Sequence, residues 1–569
     1  MVEGEQLENT AQFASKCIVD LMRKAGIRQA IACPGSRNTP LLLALSRCPE
    51  ITTRVVVDER SAAFIALGMA SISMEPVAVV CTSGTALLNL APAVAEAYYR
   101  KIPLIVVSAD RPMAWIDQDD SQTIRQFRAL DNFVKKSYDI PDYDNVEMRW
   151  YANRIVNDAL IECRQQPMGP VHINVQIGEP VGALAPHIPS HERFVTVVSA
   201  RNDIDVTLSR QLGCELASPK KVMIVAGFCN PDPVLNKALN RLSRLPNFIV
   251  LTETIANLHG DDFVSDIDAT LSSMTLAERK ELQPDVVISL GGSIVSRFIK
   301  KYLREAHPAQ HWHVGHGLTT VDCFQSLTKR IEVSPGIFFR QLASAMQPHQ
   351  SPSDYGRKWR RVRDASRSLH QSFIASAPWC DLKAFATFLP MIPRNCNIQL
   401  SNGTPVRYAQ LLTARRFHRC DCNRGVSGID GSTSTAIGAS LTYKAAPTIL
   451  ITGDMSAQYD VGALGSGLLS PRFKMIVMCN GGGGIFHFIC TTRSLDIVEQ
   501  FFDKPCSFPA KELAQAYNMA FFEAESEDSL RSNFPHFMTE MNRPSMLAIK
   551  TSGQISGKVL TEYFSTIHP

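Results

Sequence analysis

Continuous runs of apolar residues, rather than alternating ones, recur along the whole chain. Stretches with the composition of buried or amphipathic helices separate them. Strands that show no alternation are typical of parallel sheets covered by helices on both faces, so the pattern predicts an α/β protein with doubly wound parallel sheets. The predicted strands occupy 77–81, 104–108, 171–177, 221–226, 248–252, 285–290, 397–401, 448–452, 474–479 and 546–550.

The predicted strands form three groups, separated by polar, proline-containing stretches near 181–200 and 347–357. A chain of 569 residues is also too long for a single hydrophobic core. We therefore expect three α/β domains, at 1–190, 191–355 and 356–569.

Composition excludes several classes of function. A net charge of +4 gives no reason to expect a nucleic-acid partner. The basic cluster at 357–367 contains a single aromatic residue, Trp359, and is predicted to be a solvated helix face. No apolar stretch is long enough to span a bilayer, and the N-terminus lacks the apolar segment of a signal peptide, so we expect no export and no stable membrane insertion. The 15 scattered cysteines, without a Cys-x-x-Cys pair, favour a reducing cytoplasm.

Two predicted strand ends carry oxygen ligands suited to a divalent cation. Asp454 follows the strand at 448–452, and Asn480 follows the strand at 474–479 and precedes four glycines. Mg²⁺ prefers oxygen ligands and shares them with phosphate groups, and glycines let the backbone approach such a ligand, with Gly482 as a third donor. A strand-end turn beside a glycine loop remains the alternative.

Two strand-to-helix junctions in the first domain also suit a cofactor. Glu59 follows an apolar strand and precedes a helix predicted for 61–74, and Thr82, Ser83 and Gly84 lie between a strand and another helix. Free amides and hydroxyls at a helix N-terminus can hold an anion or a polar ring. A surface pair of Glu59 with Arg60, and a simple N-cap at the second junction, are the alternatives.

Seven short motifs follow one another along the chain: PGSRNTP at 34–40, VDERSAAF at 57–64, CTSGTA at 81–86, SADRP at 108–112, NRGVSGIDG at 423–431, GDMS at 453–456 and NGGGG at 480–484. In sequence and in order, these motifs resemble those of the thiamine-dependent 2-succinyl-5-enolpyruvyl-6-hydroxy-3-cyclohexene-1-carboxylate synthases of menaquinone or phylloquinone biosynthesis. Two positions depart from the pattern of the wider superfamily: Met455 stands where Gly is commonest, and Cys479 replaces the first Asn of an Asn-Asn pair.

The resemblance implies the thiamine diphosphate-binding fold, with a pyrimidine-binding domain first, a central domain and a diphosphate-binding domain last. It also implies a homodimer or homotetramer, because the cofactor of this superfamily lies between the first domain of one subunit and the last domain of another. The implied cofactors are thiamine diphosphate and Mg²⁺ or Mn²⁺, with Asp454, Asn480 and Gly482 as metal ligands.

The implied activity is that of a transferase: decarboxylation of 2-oxoglutarate on thiamine diphosphate and conjugate addition of the resulting carbanion to isochorismate. Glu59 matches the carboxylate that activates the aminopyrimidine ring, and Ile429 matches the apolar residue that bends the cofactor. The other implied cofactor contacts are Thr82, Ser83, Gly84, Asn402, Met455, Ser456, Ile485 and Phe486.

The two substrates carry four carboxylates, for which Arg is the suited partner because its guanidinium forms paired hydrogen bonds. By resemblance, Arg407 and Arg424 serve the succinyl side, and Arg37 serves the isochorismate side. Arg37, Arg407, Arg424 and Gln122 join Glu59 as predicted catalytic residues; the predicted substrate contacts are Ser36, Arg37, Arg111, Gln122, Arg297, Asn402, Arg407, Arg424 and Phe486. Phe298 follows Arg297 where the family has a basic pair, and His487 beside the glycine loop has no assigned role.

Two other functions stay open on the sequence. The nearer one is another thiamine diphosphate enzyme, such as a 2-oxoacid decarboxylase or an acetolactate synthase. The other is a non-catalytic, cofactor-binding regulatory protein, which the intact Glu59, Asp454 and Asn480 disfavour. A dinucleotide enzyme is not expected, because no Gly-x-Gly-x-x-Gly opens a helix after the first strand.

Overall fold

A computed structural model of the chain describes residues 10–143, 145–179, 192–198, 203–217, 219–317, 319–346, 353–412, 417–487, 495–502 and 505–567. Most of the two predicted interdomain stretches, 181–200 and 347–357, lies outside the described residues. The domain boundaries therefore remain predictions.

Three separate sheets, each with parallel strands throughout, follow one another along the chain. The first has the order β2-β1-β3-β4-β6-β5, the second β11-β10-β9-β7-β8, and the third β13-β12-β14-β15-β17-β16. Their strands are β1 (Gln29–Ala32), β2 (Thr52–Val55), β3 (Val77–Cys81), β4 (Leu104–Asp110), β5 (Ser137–Ile140), β6 (Val171–Gln176), β7 (Val222–Ala226), β8 (Phe248–Thr252), β9 (Val286–Leu290), β10 (Gln310–Val314), β11 (Lys329–Ile331), β12 (Asn397–Leu400), β13 (Arg419–Cys422), β14 (Thr448–Gly453), β15 (Phe473–Cys479), β16 (Ala520–Ala524) and β17 (Ser545–Lys550).

Helices occupy the connections between the parallel strands. They are α1 (Thr10–Lys24), α2 (Thr39–Ser46), α3 (Glu59–Ser73), α4 (Thr85–Arg100), α5 (Val146–Arg164), α6 (Val206–Ala217), α7 (Pro233–Leu242), α8 (Ile267–Ser272), α9 (Leu276–Glu281), α10 (Arg297–Ala306), α11 (Pro335–Ala345), α12 (Tyr355–Ser376), α13 (Asp381–Phe388), α14 (Pro405–Leu411), α15 (Ser432–Thr442), α16 (Asp454–Tyr459), α17 (Ala510–Ala516), α18 (Glu527–Thr539) and α19 (Gly553–Thr566).

All ten predicted strands are confirmed, to within about two residues at each end. Their residues are buried along the full length in β3, β4, β7, β8 and β9, as expected for strands with helices on both faces. The sheet centres therefore supply the cores, and the carboxyl ends of β14 and β15 lie side by side in register. The predicted class, three doubly wound α/β domains, is correct.

The chain divides into two compact units. The first contains the first sheet together with residues 425–444 and 460–470, and the second contains the other two sheets. Within the first unit, α3 packs closely on α15: a Cβ added at Gly68 would lie 2.0 Å from the Thr435 carbonyl oxygen, and one at Gly438 would lie 2.0 Å from the Ile65 carbonyl oxygen. Glycine at both positions lets the two helix backbones touch.

The basic cluster is only partly a solvated face. It lies on α12, where Trp359 is fully buried and the Arg363 guanidinium is buried and donates to the backbone carbonyls of Asp261 and Phe263. Within the predicted solvated cluster, Trp359 and Arg363 therefore have a packing role. No helix among the described residues is both long and apolar enough to cross a membrane.

Candidate active site

Asp454 and Asn480 come together at the carboxyl ends of the paired strands β14 and β15, as the sequence predicts. The Asp454 carboxylate accepts hydrogen bonds from the backbone N–H of Met455 at 2.8 Å and from that of Gly481 at 2.9 Å. The carboxylate is buried, and this burial raises its pKa to about 6. A buried carboxylate that keeps lone pairs free beside a glycine turn is suited to a divalent cation.

Asn480 presents its carboxamide oxygen to the same place. Its Nδ2 donates to Asp381 Oδ2 at 2.8 Å, while its Oδ1 is buried and has no hydrogen-bond partner among the described residues. Buried polar atoms normally have a partner, and an unpartnered amide oxygen next to a buried carboxylate fits a metal ligand. Gly482 has φ 148°, a backbone conformation that favours glycine. The donor set thus fits Mg²⁺ or Mn²⁺ bound to a diphosphate.

Glu59, Thr82, Ser83, Gly84 and Gln122 line one cavity of about 290 Å³ in the first unit. The Asp58 carboxylate caps α3 by accepting from the N–H groups of Arg60 and Ser61, which makes the half-buried Glu59 the first helical residue. The hydroxyls of Thr82 and Ser83 are buried and have no partner in the described structure. A cavity with a carboxylate and unpartnered hydroxyls can hold a polar heterocycle.

The turn that carries Gly84 is fixed by a glutamine that the sequence analysis did not identify. Gly84 has φ +83°, and its N–H donates to the side chain of Gln126 at 3.1 Å. Gln126 is fully buried, and its Nε2 donates to the Ala109 carbonyl at 2.8 Å and to Asn174 Oδ1 at 2.9 Å. The segment after Gln122 is thereby tied to both the turn and the sheet. In the sequence, nothing distinguishes Gln126 from Gln122, which precedes it by four residues. Its role in fixing the Gly84 turn could therefore not be predicted.

Arg37 and Arg111 lie near each other and follow the carboxyl ends of β1 and β4, at the same end of the first sheet as Glu59 and Thr82. Burial, and secondarily the charge of Arg111, lowers the pKa of Arg37, whose guanidinium donates to the carbonyls of Ile177 and Gly178. Arg111 forms an ion pair with Asp120 at 3.1 Å and donates to the Ser121 carbonyl at 3.2 Å, next to Gln122. Two neighbouring guanidinium groups suit a carboxylate ligand. Ser36 is exposed beside Arg37.

A second arginine cluster lies in the second unit. Arg407 is partly buried, and its pKa falls to about 10 because of burial and the charges of Arg424 and Arg297. Arg424 donates to Asn402 Oδ1 at 3.0 Å, and Asn402 in turn donates to the Asn423 carbonyl at 2.6 Å. The Nε atoms of Arg407 and Arg424 are buried without a partner among the described residues. Three positive charges held together in this way require anions.

Two carboxylates of the second unit lie beside this arginine cluster: the buried Glu253, directly after β8, and the partly buried Asp268 of α8. Glu253 accepts from the N–H groups of Val295 and Ser296, each at 2.7 Å, and burial raises its pKa to about 7. Asp268 accepts from the Ser296 hydroxyl, and burial raises its pKa to about 6. Both interact electrostatically with the arginines, Glu253 with Arg424 and Asp268 with Arg407. They fix the start of α10, which begins at Arg297.

Arg297 and Arg407 also line a cavity of about 80 Å³. Its remaining lining is mostly apolar, and Phe298 stacks on Phe564 there with ring centroids 5.2 Å apart. Phe298 therefore has a packing role, and Lys300 donates to the Ile294 carbonyl at 2.7 Å. Of these residues, Arg297 is the one whose positive charge acts on Arg407 together with that of Arg424.

The other predicted residues occupy separate places. Ile429 is 38% exposed in the first unit. Ile485 and Phe486 lie in a 3-10 turn, Gly484–His487, which begins at the last of the four glycines. The ring centroids of Phe486 and Phe502 are 5.5 Å apart. Met455 and Ser456 begin α16 after Asp454. Burial raises the pKa of Cys479 to about 12, so this residue is a neutral thiol at pH 7.

Three parallel α/β sheets, with an Asp–Asn pair at two neighbouring strand ends and a cavity lined by a carboxylate, define the class of thiamine pyrophosphate enzymes. The family model for the N-terminal TPP binding domain of thiamine pyrophosphate enzymes matches residues 13–129. This range contains Glu59, Gly84 and Gln122.

Similarity to individual proteins extends over the whole chain. Proteins named 2-succinyl-5-enolpyruvyl-6-hydroxy-3-cyclohexene-1-carboxylate synthase are 39% identical in Porphyromonas gingivalis, over 97% of this chain and 96% of that protein, and 34% identical in Flavobacterium johnsoniae, over 97% and 98%. The protein of that name in Bacteroides fragilis is 34% identical over 96% of this chain and 97% of its own length. The chain belongs to the 2-succinyl-5-enolpyruvyl-6-hydroxy-3-cyclohexene-1-carboxylate synthase family, which confirms the family inferred from the motifs.

Proposed function

We propose that the protein is a thiamine diphosphate-dependent transferase that decarboxylates 2-oxoglutarate and joins the remaining succinyl unit to isochorismate, with release of CO₂, in menaquinone biosynthesis. Membership of the synthase family supports this reaction. The observation that carries it is the pair of Arg407 and Arg424 beside the exposed Arg297, because partly buried guanidinium groups with unpartnered Nε atoms, as Arg407 and Arg424 have, suit carboxylate substrates.

Thiamine diphosphate, when bound, supplies the carbanion chemistry of the reaction. Asp454, Asn480 and the Gly482 carbonyl would hold Mg²⁺ or Mn²⁺ with the diphosphate. Glu59 would exchange a proton with the aminopyrimidine ring, and the hydroxyls of Thr82 and Ser83 offer it hydrogen bonds. Proton transfer to or from a positioned side chain typically accelerates a reaction by about 10²- to 10⁴-fold.

The arginines divide into two groups with different tasks. Arg407 and Arg424, with Asn402, would hold 2-oxoglutarate, while Arg37 and Arg111, with Ser36 and Gln122, would hold isochorismate. The two groups belong to different compact units. Paired hydrogen bonds from the guanidinium groups would hold the substrate carboxylates in a fixed plane and so orient the two reacting carbons.

We further propose that the protein acts as a homodimer or homotetramer in the cytoplasm, with active sites formed between subunits. Light scattering of the purified protein would measure the subunit number. Complementation supports a shared site if a Glu59→Gln variant and an Asp454→Ala variant, each inactive alone, regain activity when mixed and allowed to exchange subunits.

The test of the function is an omission assay. Isochorismate loss would be followed with 2-oxoglutarate, Mg²⁺ and thiamine diphosphate present, and then with each left out in turn. We expect consumption only in the complete mixture, loss of at least about 10²-fold in Glu59→Gln, and no change in Glu147→Gln, a surface control in α5. Turnover of 2-oxoglutarate without isochorismate would favour a 2-oxoacid decarboxylase, and cofactor binding without any turnover would favour a regulatory protein.

A further inference from the structure

Asp381 is a fully buried carboxylate at the start of α13, 73 residues before Asp454 in the sequence. It is 1% exposed, which is costly for a carboxylate unless several donors surround it. Here the donors are Asn480 Nδ2 at 2.8 Å and the Thr551 hydroxyl at 2.5 Å, and the backbone N–H of Asp381 itself donates to the Ser556 hydroxyl at 3.0 Å. Asp381 thus joins α13 to the end of β15 and the segment leading into α19.

The contact with Asn480 decides which end of its carboxamide faces the cation site. An ionised carboxylate only accepts hydrogen bonds, so it selects the NH₂ end of the amide. The carboxamide oxygen then points away from Asp381, and this is the buried Oδ1 that lacks a partner among the described residues. The backbone carbonyl of Asn480 is also fixed, because it accepts from Gly553 N–H at 3.0 Å.

We propose that Asp381 is a positioning residue for the metal site: it holds the Asn480 carboxamide with its oxygen directed at the divalent cation that binds the diphosphate. This inference rests on the metal site proposed above. Partners that orient metal ligands in this way typically contribute about 10- to 100-fold in metal affinity.

The alternative is that Asp381 only stabilises the start of α13. The two roles differ in one respect: a purely structural role does not depend on whether position 480 carries an amide or a carboxylate. A pair of reciprocal changes separates them. Asn480→Asp alone places two carboxylates in contact, whereas Asp381→Asn with Asn480→Asp restores one donor facing one acceptor and leaves the total charge unchanged.

The experiment measures Mn²⁺ binding to the full-length protein by electron paramagnetic resonance, at a fixed concentration of thiamine diphosphate and without substrates. We expect Asp381→Leu to weaken Mn²⁺ binding about 10- to 100-fold. Thr551→Val, which removes a neighbouring hydrogen bond but keeps the contact with Asn480, should weaken it much less. The reciprocal double variant should bind Mn²⁺ at least tenfold more tightly than Asn480→Asp.

Thermal midpoints measured without cofactor show whether each variant is folded. If Asp381→Leu does not fold, the comparison of the double variant with Asn480→Asp still decides. Asp381→Leu binding Mn²⁺ as the wild type does, or a double variant no better than Asn480→Asp, would overturn the proposal. A wild type that binds no Mn²⁺ would overturn it as well. Wild-type Mn²⁺ binding that responds to Asp381, with no consumption of isochorismate, would support this inference and refute the proposed reaction.

Discussion

The close contact between α3 and α15 gives a prediction with an unusual sign: Gly68→Ala should destabilise the protein although alanine favours helices. The added Cβ would lie 2.0 Å from the Thr435 carbonyl oxygen, whereas ordinary contact begins at 3.4 Å, so the helices must separate by about 1.4 Å. Because the obstacle is backbone, no side-chain rotation relieves it. Overpacking costs about 1 to 3 kcal/mol, to be set against about 1 kcal/mol gained in helix propensity.

The thermal midpoint measures this balance. A net loss of up to about 2 kcal/mol lowers the midpoint of a unit of this size by up to about 8 °C. Since α3 begins at Glu59, displacement of the helix also moves this carboxylate, and a misplacement of about 1 Å can cost about 10²-fold in rate. We therefore expect kcat to fall together with the midpoint.

Gly213→Ala is the matched control. Gly213 also lies inside a helix, α6, but a Cβ there would meet its nearest neighbour, Ala345 Cβ, at 3.6 Å. This variant should raise the free energy of unfolding by about 0.5 to 1 kcal/mol. If Gly68→Ala raised the midpoint as Gly213→Ala does, the inferred backbone contact would be wrong; Gly438→Ala, which meets the Ile65 carbonyl oxygen at 2.0 Å, provides a second check.

Three further changes test other parts of the site. Arg424→Met should lower kcat/KM for 2-oxoglutarate, measured by steady-state kinetics, by an amount that corresponds to about 2 to 5 kcal/mol of lost transition-state stabilisation. An unchanged kcat/KM would show that this arginine does not hold the substrate. Gln126→Met removes the side-chain acceptor of the Gly84 N–H and one hydrogen bond each to the Ala109 carbonyl and to Asn174 Oδ1, which keeps its bond from the Ser108 hydroxyl. A buried group left unpaired costs about 1 to 3 kcal/mol, so the thermal midpoint and thiamine diphosphate affinity should both fall. Burial raises the pKa of Glu253 from 4.5 to about 7, so the wild type should lose roughly 3 kcal/mol of stability relative to Glu253→Gln as the pH rises from about 4.5 to 7. Parallel pH profiles of the two midpoints would contradict that pKa.

The sequence predicts the centres of the three sheets well and their edges less well. Central strands such as β3 and β7 are continuous apolar runs, which few other structures produce. The edge strand β13 has the sequence RCDC, and its charges are compensated by an ion pair between Arg419 and Asp421 at 2.6 Å. Another edge strand, β11 of the second sheet, has only three residues. Tertiary pairing rather than local hydropathy defines these strands.

The candidate site divides in the same way. Asp454 and Asn480 can be predicted because strand ends of a parallel sheet meet at one edge, and the structure brings them together. Asp381 and Glu253 could not be predicted, since each lies far along the chain from the group it contacts and neither belongs to a local motif. Carboxylates that act through another residue are recognised by their hydrogen-bond partners, which only the three-dimensional structure provides.

The grouping of α15 with the first sheet has a consequence for synthesis of the protein. Ribosomes complete α3 by residue 73, but its partner helix begins at residue 432, about 360 residues later. At about 5 to 20 residues per second, the face of α3 around Gly68 waits roughly 20 to 70 s for its cover. During translation the nascent first sheet therefore presents an apolar helix face to the cytosol, and production of the enzyme should depend on chaperones that shield this face until the last third of the chain emerges.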